Sequence, residues 1–202
     1  MKIQTTPLMG ALVIEPDVFE DQRGFFMESF QKLKYKSIGV VANFVQDNIS
    51  SSNYGTIRGL HYQYPQGQSK LVQVLAGEVF DVAVDIRLGS PSFGKWYGIH
   101  LSGENKRQFF IPKGFAHGFC VLSENAIVQY KCDDYYAPQC ECGILWNDPQ
   151  IAIGWPKVDS VVLSEKDKAY PVLKNIHYER LPLYDDAEYF DAEDFALGHT
   201  EK

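Results

Sequence analysis

"VFDVAVDIR" (79–87) decides the fold class. Phe80, Val82, Val84 and Ile86 fall on one side of an extended chain, and Asp81, Asp85 and Arg87 on the other, the period-two pattern of a β-strand. Working outward, "KLVQVL" (70–75), "WYGIHL" (96–101), "QFFI" (108–111) and "AIVQYKC" (126–132) read the same way. Between them lie "AGE", "GSPSFG", "SGENK", "PKG" and "SEN", all turn chemistry. Many short strands joined by such turns predict an antiparallel sandwich or barrel. Helix is expected only over 28–39 and 164–173, where Ser164 caps the second and Pro171 ends it. No internal repeat is present.

The 202 residues suffice for one well-packed domain, and 45% of them are apolar. No apolar run is long enough to span a membrane. "MKIQTTPLMG" (1–10) lacks the apolar core of a secretory signal, so a cytoplasmic protein is expected. The four cysteines, Cys120, Cys132, Cys140 and Cys142, contain no C-x-x-C pair and are expected to be reduced. Nearly all of the net charge of −7 sits in the last twenty residues, where seven acids face one base. The body can therefore hold an anionic ligand, and no basic nucleic-acid face exists. Residues 1–176 are expected to form the domain. Residues 177–202 read as an acidic extension, partly docked through Tyr184, Tyr189, Phe190 and Phe195 or else mobile.

"IRGLHYQ" (57–63) sets Arg58 and His61 around Gly59 in an otherwise ordinary strand. Strict alternation puts Arg58 and His61 on opposite faces, unless Gly59 marks a bulge that turns both into one cavity. A jelly-roll barrel with a polar interior site is the architecture of the cupins. Their metal-binding forms need a His-x-His pair, whereas "GLHYQ" offers one histidine. "FIPKGFAHGF" (110–119) looks like the second cupin half and delivers His117. Two such histidines make a poor transition-metal site, so no metal is expected.

"DQRGFFMESF" (21–30), "FVQDNIS" (44–50), "IRGLHYQ", "GQSKLVQVLAGEVFDVAVDIRLGSPSFGKW" (67–96), "IPKGFAHGF" (111–119), "QYKCDDYYAP" (129–138) and "LWNDPQIAIGWP" (145–156) together resemble the dTDP-4-dehydrorhamnose 3,5-epimerase family. The resemblance covers about residues 3–175. It implies a cupin-type jelly roll that epimerises C3 and C5 of a nucleotide-linked 4-keto-6-deoxyhexose without a cofactor. Both carbons flank the C4 ketone, so loss of either hydrogen gives an enolate. Such a reaction needs a base, an acid on the opposite face and a donor at the ketone oxygen.

By resemblance, His61 is the base, Asp167 of "SEKDKAY" (164–170) its partner, Tyr130 the acid and Lys70 the enolate stabiliser. Arg58 is a diphosphate ligand, for which its planar fork is suited. Arg23, Glu28, Gln46, Asn48, His117, Glu141 and Lys166 transfer as nucleotide-sugar contacts, and Tyr136 as the aromatic against the base or sugar. Taken singly, each has an ordinary reading as a core, turn or surface residue. His100, His177 and His199 match nothing. The family also implies a homodimer whose N-terminal strands, within 11–30, cross to the neighbour and bring Arg23 and Glu28 to its site. Single-position epimerisation, a 3,4-ketoisomerase, a non-catalytic sugar-binding jelly roll and a metal cupin remain as alternatives, and dTDP and CDP are both open as the nucleotide.

Overall fold

The computed structural model describes residues 1–184, so Tyr189, Phe190, Phe195 and His199 lie outside the described residues. Thirteen strands run in chain order as β1 (Lys2–Thr5), β2 (Leu12–Glu15), β3 (Val18–Asp21), β4 (Gly24–Met27), β5 (Gln46–Asn53), β6 (Ile57–Gln63) and β7 (Lys70–Ala76). They continue as β8 (Glu78–Asp85), β9 (Trp96–Ser102), β10 (Gln108–Ile111), β11 (Phe115–Val121), β12 (Asn125–Cys132) and β13 (Glu141–Gly143). Two antiparallel sheets result, ordered β1-β2-β10-β7-β12-β5 and β13-β6-β11-β8-β9, with β3–β4 as a separate hairpin. They face each other as a cupin-like jelly roll.

Each sheet is packed on its inner face and over part of its outer face. Val72, Val74, Val79, Ala83, Phe109, Phe119 and Val128 fill the space between the sheets. The outer face of β8, carrying Phe80, Val82 and Val84, and Ile86 just beyond it are buried with Ile144, Ile151, Leu173 and Leu181 of the later chain. Tyr35 and Val40 cover the back of the other sheet over Leu12, Ile14, Leu71 and Phe110. The polar side of "VFDVAVDIR" is therefore interior, and its charges are paired. Asp85 accepts from Arg87 at 2.7 and 2.8 Å and from Ser90 and Ser92. Asp81 meets His117. All four cysteines are free and buried.

The two helices are shorter than the pattern suggested. α1 spans Lys32–Lys36, because Gln31 caps it and the Ser29 carbonyl is held by Tyr35 and Gln108. α2 spans Glu165–Ala169 behind the Ser164 cap. It stops at Ala169, two residues before Pro171, because Tyr170 directly precedes that proline and the residue before proline avoids the helical region; the ψ of Tyr170 is 145°. No helix of the described residues is long and apolar enough to cross a membrane.

Candidate active site

Gly59 settles how one strand can serve one cavity from two odd positions. In the β6–β11 ladder His117 faces His61 but Phe119 faces Arg58, so three steps on β6 match two on β11. That extra residue brings Arg58 and His61 to the same side. Gly59 has φ +136°, and a Cβ there would stand 2.5 Å from the Gly118 Cα. Only glycine fits this crossing.

The cavity has two chambers. The outer one, about 330 Å³, is lined by residues including Gln46, Asn48, Gln68, Tyr136 and Glu141. The inner one, about 160 Å³, is lined by Ser50, Arg58, His117 and Phe119. His61, Lys70 and Tyr130 line both and form the waist between them.

His61 Nε2 lies 2.6 Å from Asp167 Oδ1. With a carboxylate as partner, Nε2 carries the proton and the neutral ring keeps its lone pair on Nδ1. Asp167 is the one buried residue of α2. Burial pushes its carboxyl up, but the His61 and Ser164 side chains outweigh this and hold it below the usual range. The ring of Tyr170 meets the His61 ring in a tilted edge contact, centroids 5.8 Å apart. Gly143, opposite His61 on β13, leaves room for it, since a Cβ there would meet the Tyr170 ring at 2.4 Å.

Tyr130 projects from the inner face of β12, between Asn48 of β5 and Val72 of β7. Burial raises its pKa, so the phenol is protonated near neutrality. Lys70 Nζ stands 5.8 Å from the Tyr130 ring centre. Burial lowers the Lys70 pKa, while Cys132 and Asp81 pull it back up. His117 Nε2 donates to both Asp81 oxygens at 2.9 and 3.0 Å. Burial lowers the His117 pKa despite Asp81, which keeps the ring neutral.

At the outer mouth, Glu141 accepts from Tyr136 Oη at 2.8 Å and from Lys166 Nζ at 2.5 Å. Burial raises the Glu141 pKa, and these two donors bring it below the usual range. Gln46 Nε2 donates to Asn48 Oδ1, and its own Oε1 accepts from the Tyr136 amide. Arg58 Nε donates to Ser52 Oγ at 2.9 Å.

Arg23 and Glu28 are the two expected residues that this chain does not bring to the cavity. Arg23 pairs with Asp21 in the hairpin turn, and Glu28 pairs with Lys34. Conversely, Asp81, Ser50 and Gln68 were missed. Asp81 falls with Asp85 and Arg87 on the polar side of an alternating strand and so left no signal of its own, and Ser50 and Gln68 left none either. Among the described residues no group of three or more His, Cys, Asp or Glu side chains is arranged to hold a metal.

The family model described as dTDP-4-dehydrorhamnose 3,5-epimerase matches residues 5–175. The enzyme of that name from Shigella flexneri is 56% identical over 169 residues, which are 83% of this chain and 93% of that one. Its namesake in Methanothermobacter thermautotrophicus is 51% identical over 171 residues, 84% of this chain and 92% of the relative. A crystal structure of dTDP-6-deoxy-D-glucose-3,5-epimerase from Legionella pneumophila Philadelphia 1, in complex with dTDP-4-keto-L-rhamnose, superposes with a TM-score of 0.89. It is 58% identical and aligns over 91% of this chain and 98% of its own. The match takes in the strands that build the cavity as well as α2, which closes it, and the chain belongs to the dTDP-4-dehydrorhamnose 3,5-epimerase family.

Proposed function

We propose that this epimerase inverts C3 and C5 of a dTDP-linked 4-keto-6-deoxyhexose through two enolates, with His61 as base and Tyr130 as acid. The observation that carries this is the 2.6 Å His61–Asp167 pair in a waist shared with Lys70 and Tyr130. His61 Nδ1 removes the proton next to the ketone, and Asp167 stabilises the imidazolium that forms. The Lys70 ammonium receives the charge that develops on the C4 oxygen. Tyr130 returns a proton from the opposite face, which inverts the carbon. His61 then releases its proton to solvent, the Tyr130 phenolate takes one up from solvent, and the cycle repeats at the second carbon. No redox step enters. Arg58 supplies a planar fork for the substrate's diphosphate, and Tyr136, Gln46, Asn48, Glu141, His117 and Lys166 supply further contacts. Following deuterium uptake at C3 and C5 of dTDP-4-keto-6-deoxyglucose in heavy water tests the reading. Uptake and inversion at both carbons are expected. Exchange at one carbon only would make the chain a single-position epimerase.

We also propose a homodimer that completes the site. Phe19, Phe25 and Phe26 of the β3–β4 hairpin are 65%, 56% and 70% exposed in the single chain, a patch that a second copy covers. Arg23 lies on that hairpin and Glu28 just after it, so both would reach the neighbour's cavity. Mixing Arg23→Ala with His61→Ala chains is expected to restore part of the activity, because one site of the mixed dimer receives both intact residues. Subunit exchange without recovery would assign Arg23 to its own subunit.

A further inference from the structure

The inner face of β5 is polar along its length, with Gln46, Asn48, Ser50 and Ser52 in sequence. Three of these are engaged. Gln46 donates to Asn48, Asn48 reaches Cys132 Sγ at 3.6 Å, and Ser52 accepts from Arg58. Ser50 differs. Its Oγ is buried and has no hydrogen-bond partner among the described residues. Its neighbour across the ladder is Val128, fully buried and apolar. Buried hydroxyls without partners destabilise a protein, and native structures keep few of them. Ser50 is one of the residues that line the inner chamber, with Arg58, His61, Lys70, His117 and Tyr130.

We propose that Ser50 is a substrate-binding residue that holds the C2 hydroxyl of the hexose, making the site selective for 2-hydroxy over 2-deoxy sugars. This rests on the epimerase reading above. In a nucleotide-linked 4-keto-6-deoxyhexose, C1 carries the diphosphate, C4 is the ketone and C6 is a methyl group. Free hydroxyls remain only at C2 and C3. The C3 hydroxyl changes orientation when its carbon inverts, so a fixed group on a strand cannot hold it in both substrate and product. C2 keeps its configuration throughout. A hydroxyl anchored there holds the ring still while the two neighbouring centres react at the waist. A serine both donates and accepts, which matches a sugar hydroxyl at either polarity.

The test compares wild type with Ser50→Ala on the nucleotide-linked 4-keto-6-deoxyhexose and on its 2-deoxy counterpart. On the hydroxylated sugar, kcat/KM is expected to fall about 10-fold, the order for one buried hydrogen bond, with KM carrying most of the loss. On the 2-deoxy sugar the two proteins should agree within about twofold. The melting temperature of Ser50→Ala should equal or exceed that of wild type, since the substitution removes an unpaired polar atom. Equal losses on both sugars, no loss on either, or a lower melting temperature would overturn the proposal. Calorimetric affinities for both sugars are measured alongside. Selective binding lost in Ser50→Ala supports the Ser50 assignment even if wild type turns over neither sugar, a result that would count against the epimerase reading alone.

Discussion

Two histidine–aspartate pairs stand side by side in one cavity, with His61 and His117 facing each other across the β6–β11 ladder, and differ in almost everything except their chemistry. His61 and Asp167 are 106 residues apart and come from a strand and a helix. The imidazole is 30% exposed, and the carboxylate behind it is 5% exposed. His117 and Asp81 sit on adjacent strands of one sheet, at 6% and 0% exposure. The first pair is open on the imidazole side, so a proton can be collected there and its charge balanced from behind. The second is almost wholly buried, with His117 only grazing the inner chamber, and burial keeps its histidine neutral. A base needs access to its substrate, whereas a fixed dipole needs to be immobile. Asp81 also lends its negative charge to Lys70, raising a pKa that burial lowers.

Truncating the two histidines separates these roles. His61→Ala is expected to reduce kcat by roughly 100- to 10,000-fold, the range for a general base. Its melting temperature should fall less than that of His117→Ala, since the ring is part-exposed and Asp167 keeps Ser164 as a partner. Wild-type rates of deuterium exchange in this variant would remove His61 from the mechanism. His117→Ala strips a buried carboxylate of its donor, which costs about 3–5 kcal/mol. For a chain of this length that lowers the melting temperature by about 10 °C. Thermal unfolding of both variants decides the matter, and equal melting temperatures would erase the contrast.

Smaller effects sharpen it. Tyr130→Phe removes the acid but leaves the open pair intact, so formation of inverted sugar should fall about 100-fold while proton wash-in falls less than 10-fold. Equal losses would mean that Tyr130 is not a dedicated acid. The smallest expected effect is a pH limb. The pKa of Lys70 is lowered from 10.5, mainly by burial, and that of Tyr130 is raised from 10.0, also mainly by burial. As pH rises, the ammonium is therefore lost earlier than that of an ordinary lysine, and kcat should decline below pH 10.5. Tyr130→Phe should leave that decline in place; an upward shift in its pH profile would assign the limb to Tyr130.

Much of this was legible in one dimension. Alternation found the strands of "VFDVAVDIR", "KLVQVL", "WYGIHL", "QFFI" and "AIVQYKC" to within a residue or two. Turn chemistry separated them, and the order of the blocks pointed to the family. Local rules failed where a neighbour intervened. Pro171 stopped α2 through the residue before it, and Ser29 left α1 because Gln108 and Tyr35 claimed its carbonyl.

Local pattern thus determined the strand content, the faces of each strand and the residue types available for chemistry, because period and turn propensity depend on a few consecutive residues. Which faces meet was a tertiary matter. Alternation separates the two sides of β8 but does not reveal that both are covered, and so does not foretell that Asp81 and Asp85 are interior. Asp167 reads as a solvated helix residue until the later chain folds back and puts it against His61. Gly59 announces some irregularity, but the one-residue slip that aligns Arg58 with His61 exists only because β11 crosses there. Ser50 reads as one polar residue among several. Its hydroxyl becomes distinctive only when packing buries it beside Val128, since burial, and with it the cost of an unmade hydrogen bond, belongs to the assembled core and not to any segment.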